Sequence, residues 1–210
     1  MLSALRSTLF LTLLAFTGLS VAATDARTVV EQTTHNLLAD LQENKELYRT
    51  DPSAFYTALD TIIGQVVDAE GVSRSVMTVR YSRRATPEQM QRFQENFKRS
   101  LIQFYGNALL EYDNQDIKVL PGERAQGNNR SEVRMEVTDQ KGVVYPVSYT
   151  MVKVDGRWMM RNVIINGINV GKLFRDQFAE AMQRNGNNLD RVIDGWVETV
   201  ARTRAAQEKS

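Results

Sequence analysis

Ser131-Glu132-Val133-Arg134-Met135-Glu136-Val137-Thr138 alternates polar and apolar residues without a break. A period of two puts Val133, Met135 and Val137 on one side of an extended chain and Glu132, Arg134 and Glu136 on the other, so this stretch reads as a half-buried antiparallel strand. Asp139-Gln140-Lys141-Gly142 follows as a hairpin turn, and residues 143–154 form a longer strand with Tyr145, Val147, Tyr149 and Met151 on one face. Asp155-Gly156 is a two-residue turn signal, because both residue types tolerate a left-handed backbone. Residues 157–165 return as the next strand; alternation falters at Met159-Met160 and leaves the inward face of the Trp158 strand open. Upstream, residues 115–120 supply a short strand, separated by a polar Gly/Asn loop over 121–130. Pro146 cannot donate to a ladder and implies an edge position or a bulge. Asn166-Gly167 reads as the end of the sheet.

The period changes to helical on both sides of this meander. Residues 25–48 carry an apolar stripe of Val30, Leu37, Leu38, Leu41 and Tyr48. Thr50-Asp51-Pro52 then offers an N-cap followed by Pro in a first turn, opening a second helix with Phe55, Leu59, Ile62, Ile63 and Val66. Gly71 reads as its break, with a short third helix over 72–81. Thr86-Pro87-Glu88-Gln89 has the form of a capping box with Pro at the first helical position. The helix after it carries Met90, Phe93, Phe97, Leu101 and Phe104, beside a second seam of Ile102, Tyr105, Leu109 and Tyr112. Downstream, Val170, Leu173, Phe174, Phe178 and Met182 define one helix, stopped by Asn185-Gly186, and residues 189–200 define the last. The order of helices, meander and helices is an α+β fold, a curved antiparallel four- to five-stranded sheet packed against N- and C-terminal helices.

Met1 to Ala23 has the three parts of a secretory signal: Arg6, the apolar run 9–16, and small residues at Ser20-Val21-Ala22-Ala23. We expect residues 1–23 to be cleaved, leaving one domain over 24–210. The segment contains Arg6 and no acid, so the remaining chain balances 25 basic against 25 acidic residues, one cation fewer than the 26 of the whole. Such neutrality gives no electrostatic footprint for nucleic acid, and no nucleic-acid partner is expected. With no Cys and one His, the sequence lacks thiolate nucleophiles, Cys-ligated zinc and His pairs, so no metal and no cofactor is expected.

Catalytic equipment is sparse. His35 stands beside Thr34 and Asn36 on an early helix with no nucleophile near it, and reads as an ordinary helix residue. Glu111, Asp113 and Asp116 cluster where the aromatic helix ends and read as solvated acids, although a two-carboxylate hydrolase stays open on composition. Arg80, Arg83 and Arg84 form a small basic cluster with two readings: a solvated loop, or a contact to a lipid headgroup or acidic partner. The large inward residues, rich in Phe and Met, read either as a core or as a surface for variable apolar ligands.

Several of these stretches, taken in order, carry a resemblance. Val79-Arg80-Tyr81-Ser82-Arg83-Arg84-Ala85-Thr86-Pro87-Glu88-Gln89 with the Phe93/Phe97/Leu101/Tyr105 helix resembles the MlaC family of toluene-tolerance proteins. So do Val147-Ser148-Tyr149, Gly156-Arg157-Trp158, residues 163–170 and Phe174-Arg175-Asp176-Gln177-Phe178. Asn162, Asn166 and Asn169 stand where that family often carries two acids and a Ser, and Phe174 stands for its usual Tyr. The resemblance implies a non-enzymatic, monomeric periplasmic carrier with helices and sheet around an apolar lipid pocket. It would shuttle diacyl phospholipid between an outer-membrane lipoprotein–porin complex and an inner-membrane ABC transporter complex, maintaining outer-membrane lipid asymmetry. For that cargo we expect acyl-chain contacts from Phe93, Phe97, Leu101, Phe104, Met135, Val137, Val147, Tyr149, Met151 and Phe178. A lipid-modifying hydrolase using pocket carboxylates and a ligand-free periplasmic interaction module are the competing readings.

Overall fold

The computed structural model of the chain describes residues 25–110, 116–122, 124–127 and 129–207, with side chains described at all of these but 104, 105, 107, 108 and 204–207. The expected signal segment, Glu111, Tyr112 and Asp113, and the side chains of Phe104 and Tyr105 therefore lie outside the described residues.

Among the described residues the sheet has six strands: β1 (Asp116–Val119), β2 (Arg124–Ala125), β3 (Arg130–Thr138), β4 (Val144–Val154), β5 (Arg157–Ile165) and β6 (Ile168–Asn169). They run β1-β3-β4-β5-β6, with β2 beside β3, and every pairing is antiparallel. Two features exceed the expected meander. The loop over 121–130 holds the two-residue strand β2. Asn166-Gly167 does not end the sheet: with φ of 48° and 81° it makes the same kind of turn as Asp155-Gly156, at 49° and 78°, and sends β6 back along β5.

Pro146 lies in a central strand rather than at an edge. It sits opposite Glu136 of β3 and beyond the last β4–β5 register pair, Val147 with Ile165, where its carbonyl accepts from the Asn166 N–H. The irregularity is elsewhere. Thr150 pairs with Asn162 but Met151 pairs with Met160, leaving Arg161 as an extra residue in β5. A bulge of this kind shifts side-chain parity by one. It explains the faltering alternation and fixes the inward face: Trp158 and Met160 join the face of Met151 and Tyr149.

The helices are α1 (Ala26–Thr50), α2 (Pro52–Ile62), α3 (Ala69–Ser82), α4 (Pro87–Leu110), α5 (Val170–Arg184), α6 (Leu189–Asp194) and α7 (Trp196–Gln207). Their starts follow local chemistry. Asp51 accepts from the Ser53 and Ala54 N–H groups ahead of α2. The Thr86 hydroxyl accepts from the Gln89 N–H while the Gln89 side chain accepts from the Thr86 N–H, a complete capping box. The final helical stretch is divided at Gly195.

Buried apolar residues form separate clusters rather than one continuous core. The largest is helical, with Phe93, Phe97, Phe174, Phe178, Met182, Ile193 and Trp196. A second joins Ala26 and Val30 of α1 to Val133 and Met151 of the sheet. A third holds Leu41, Tyr48, Phe55 and Leu59 between α1 and α2.

Candidate functional site

Strand register gathers half of the expected lipid contacts on one surface. Met135 faces Val147, Val133 faces Tyr149, Val137 faces Tyr145, and Ser131 faces Met151. Since these residues alternate along β3 and β4, they share the sheet face across which α1 lies. Met135, Val147 and Met151 are buried, while Val137 and Tyr149 keep part of their surface.

Tyr149 is only partly buried, and burial by the surrounding protein pushes its hydroxyl up to about 12.

Beside this face a cleft of about 600 Å³ opens between α1, the end of α2 and the β4–β5 turn. Val29, Ile62, Val66, Trp158 and Met159 give it apolar walls, and Gln32, Asn36 and Gln65 give it an uncharged polar rim. Among the described residues Arg157 is its one cation, and no carboxylate lines it. Val29 and Trp158 also pack against the cluster of Val133 and Met151, so the cleft adjoins the sheet face just described. An amphiphile suits such a place: tails against the apolar wall, polar end at the rim. None of the cleft's segments is adjacent in sequence to another, which is why residue patterning missed it; the broken alternation at Met159-Met160 was the one local sign.

The other expected contacts lie elsewhere. Phe93 and Phe178 are fully buried, and Phe97 nearly so. Phe93 packs on Phe178 and Trp196 with ring centroids 5.4 and 5.2 Å away, and Phe97 packs on Phe174 at 5.1 Å. These rings fill the space between helices, and Leu101 packs against the same cluster.

The structure also places the basic cluster and the unusual asparagines. Arg80, Arg83 and Arg84 are exposed at the end of α3, where Arg80 lies over the Tyr81 ring, 5.2 Å from its centroid. Asn162 and Asn169 start α5: Asn162 accepts from the Gly171 N–H, Asn169 accepts from the Lys172 N–H, and the two side chains bond each other at 3.1 Å. Their role is capping.

Among the described residues no group of three or more His, Asp or Glu could hold a metal ion. His35 is exposed on α1. No described helix is long and apolar enough to cross a membrane.

Comparison with known proteins follows this geometry. The chain is 60% identical over 210 residues to the toluene tolerance protein ttg2D of Pseudomonas putida, covering 100% of this chain and 97% of that one. It is 24% identical over 166 residues to the intermembrane phospholipid transport system binding protein MlaC of Haemophilus influenzae, covering 78% and 77% of the two chains. A solved phospholipid-binding protein from Ralstonia solanacearum, determined in complex with a phospholipid, superposes with a TM-score of 0.74 at 25% identity, covering 89% of this chain and 100% of that one. The family profile described as MlaC protein matches residues 31–198, and with that match the chain belongs to the MlaC family.

Proposed function

We propose that this protein is a periplasmic phospholipid carrier. The observation that carries the reading is the likeness to a solved relative holding a phospholipid, in a chain whose own sheet face is apolar and whose adjoining cleft joins an apolar wall to a polar rim. Two acyl chains contain roughly 30 methylenes, each worth about 0.8 kcal/mol out of water, so a phospholipid does not cross an aqueous compartment unaccompanied. A carrier encloses the tails. Because membrane and pocket are both apolar, transfer between them is near balance, and direction comes from the partners.

Residues 1–23 act as a cleaved export signal, and 24–210 fold as one lipid-binding domain. The partners are an inner-membrane ABC transporter complex and an outer-membrane lipoprotein–porin complex, and the process served is outer-membrane lipid asymmetry. Val137, Tyr149, Met135, Val147 and Met151 contact the acyl chains from the sheet. Phe93, Phe97, Leu101 and Phe178 pack the helical cluster that supports the fold rather than touching the tails.

Organic extraction of the purified protein followed by mass spectrometry tests this. Intact diacyl phospholipid in stoichiometric amount is the expected result. Lysolipid with free fatty acid would identify a hydrolase instead. Empty extracts, with no uptake from vesicles, would leave a ligand-free interaction module.

A further inference from the structure

A second cleft, of about 700 Å³, shares no lining residue with the first, and the lipid reading does not use it. Arg74 of α3, Arg83 just past its end, Arg161 of the β5 bulge and Arg175 of α5 all line it, and among the described residues no Lys does. Its acids are already engaged: Asp68 pairs with Arg161 and Glu70 with Arg74. Arg83 and Arg175 have no carboxylate partner among the described residues, and both are exposed. The cleft thus carries two uncompensated guanidinium groups in a chain whose overall charge is close to zero.

The cleft is also built around a strained residue. Thr78, on its wall, holds φ 62° and ψ 162° inside α3, a conformation that a β-branched residue avoids. The Arg74 guanidinium donates across this kink to the Ser82 carbonyl, at 3.5 Å. Beyond the kink Val79 is 61% exposed, on the same cleft rim as Arg83. Strain, an exposed aliphatic and free arginines converge in one place.

We propose that this arginine cleft docks an acidic segment of a partner protein. The proposal rests on the carrier reading, since a carrier must find its donor and acceptor complexes, and it names the chemistry of their contact surface. Guanidinium forks bind carboxylates bidentately, and complementary charge raises association rate and fixes orientation. Three features favour a protein over the alternatives. The cleft is far larger than one phosphate group. Val154, on its wall, has the opposite parity to Tyr149 along β4, and the two clefts share no lining residue, so a headgroup held here would be detached from tails on the Tyr149 face. Among the described residues Val79 and Val154 are its only aliphatic wall residues, too few for insertion into a lipid surface.

The test uses the whole mature chain, wild type, R83E/R175E and R83K/R175K, with a Glu-rich peptide, inorganic phosphate, and vesicles containing anionic phospholipid as probes. Wild type should bind the peptide, with affinity falling about tenfold or more between roughly 50 and 200 mM salt. R83E/R175E should lose about tenfold or more, and R83K/R175K should lose less, since charge remains without the fork. Single R83A and R175A variants, at exposed positions, serve if the double variant does not fold. Equal peptide binding by all variants overturns the proposal. So does phosphate binding as tightly as the peptide, or vesicle binding that depends on these arginines while the peptide does not bind. Lipid content per chain should be unchanged in every variant; its loss in R83E/R175E would assign the cleft to the lipid site and overturn the docking role. Wild-type protein free of lipid would instead overturn the carrier reading, with the peptide result still standing.

Discussion

Arg161 meets Asp68 across an irregularity in the sheet: the Arg161 Nε donates to Asp68 Oδ2 at 2.5 Å, from the one β5 residue that the β4 ladder leaves over. The bulge re-aims the side chain toward α3. Asp68 also accepts from the Gly71 N–H at 2.9 Å, so a single carboxylate caps a helix and holds a guanidinium. Gly71 is required by this pair. A Cβ there would lie 2.3 Å from Arg161 Cζ and from Asp68 Oδ2. Gly→Ala inside a helix ordinarily stabilises by about 1 kcal/mol. Gly71→Ala should do the reverse, costing about 2 kcal/mol because Asp68 is buried and would lose its partner. Urea unfolding of Gly71→Ala, alone and with Arg161→Ala, checks this. In the Arg161→Ala background the penalty should shrink.

Stability and lipid content should separate between the two sets of expected contacts. Phe178 is fully buried among Tyr81, Phe93 and Trp196. Phe178→Ala should cost about 3–5 kcal/mol, as a large cavity in a packed core does. The protein that remains folded should still carry lipid. Val147→Trp, on the sheet face, should instead lower the lipid recovered per folded chain. Thermal melts and quantitative extraction on the same preparations measure both. Equal lipid loss in both variants would show that the helical rings also touch cargo.

Gln177 gives a stabilising prediction. It is 5% exposed, and neither its amide nitrogen nor its oxygen has a hydrogen-bond partner among the described residues. An unsatisfied buried amide costs about 1–3 kcal/mol, and an apolar residue of similar shape avoids that cost. Gln177→Leu should therefore raise the unfolding midpoint in denaturant with lipid content intact. A fall in stability would mean that the amide has a partner in the working protein, and loss of lipid would place that partner in the cargo.

The sequence was most legible where chemistry is local. The alternation of 131–138, the Asp155-Gly156 turn and the Thr86/Gln89 capping box each depend on a few neighbouring residues, and each formed as read. Non-local features were hidden. Gly71 looked like a helix break, but it sits inside the first turn of α3 because Arg161, far along the chain, needs the room. Asn166-Gly167 looked like an end because a two-residue strand has no period to detect. The site divides in the same way. Register placed Val137, Val147, Tyr149 and Met151 on one face, as alternation predicts. Helical periodicity marked Phe93 and Phe178 as inward, and inward toward other helices reads no differently from inward toward a cavity.

Two tyrosines should titrate late, for different reasons. Burial raises the Tyr149 hydroxyl to about 12. Burial first, and then the bond it donates to Asp40 Oδ2 at 2.6 Å, raises Tyr48 to about 12 as well. The unfolded value is about 10, so folding binds these protons more tightly than the unfolded chain does. Their contribution to stability is complete below pH about 10 and is lost as pH rises from there through about 12. Absorbance titration near 295 nm should show a late phase, and Tyr149→Phe should reduce it. Removing lipid separates the two groups. The surrounding protein alone already raises Tyr149, so acyl chains that also cover it should delay its titration further and extraction should bring it earlier, while Tyr48, packed on Phe55 with ring centroids 5.4 Å apart, should not move. A late phase that is the same before and after extraction would mean that Tyr149 is buried by protein alone and would remove it from the lipid-contact surface.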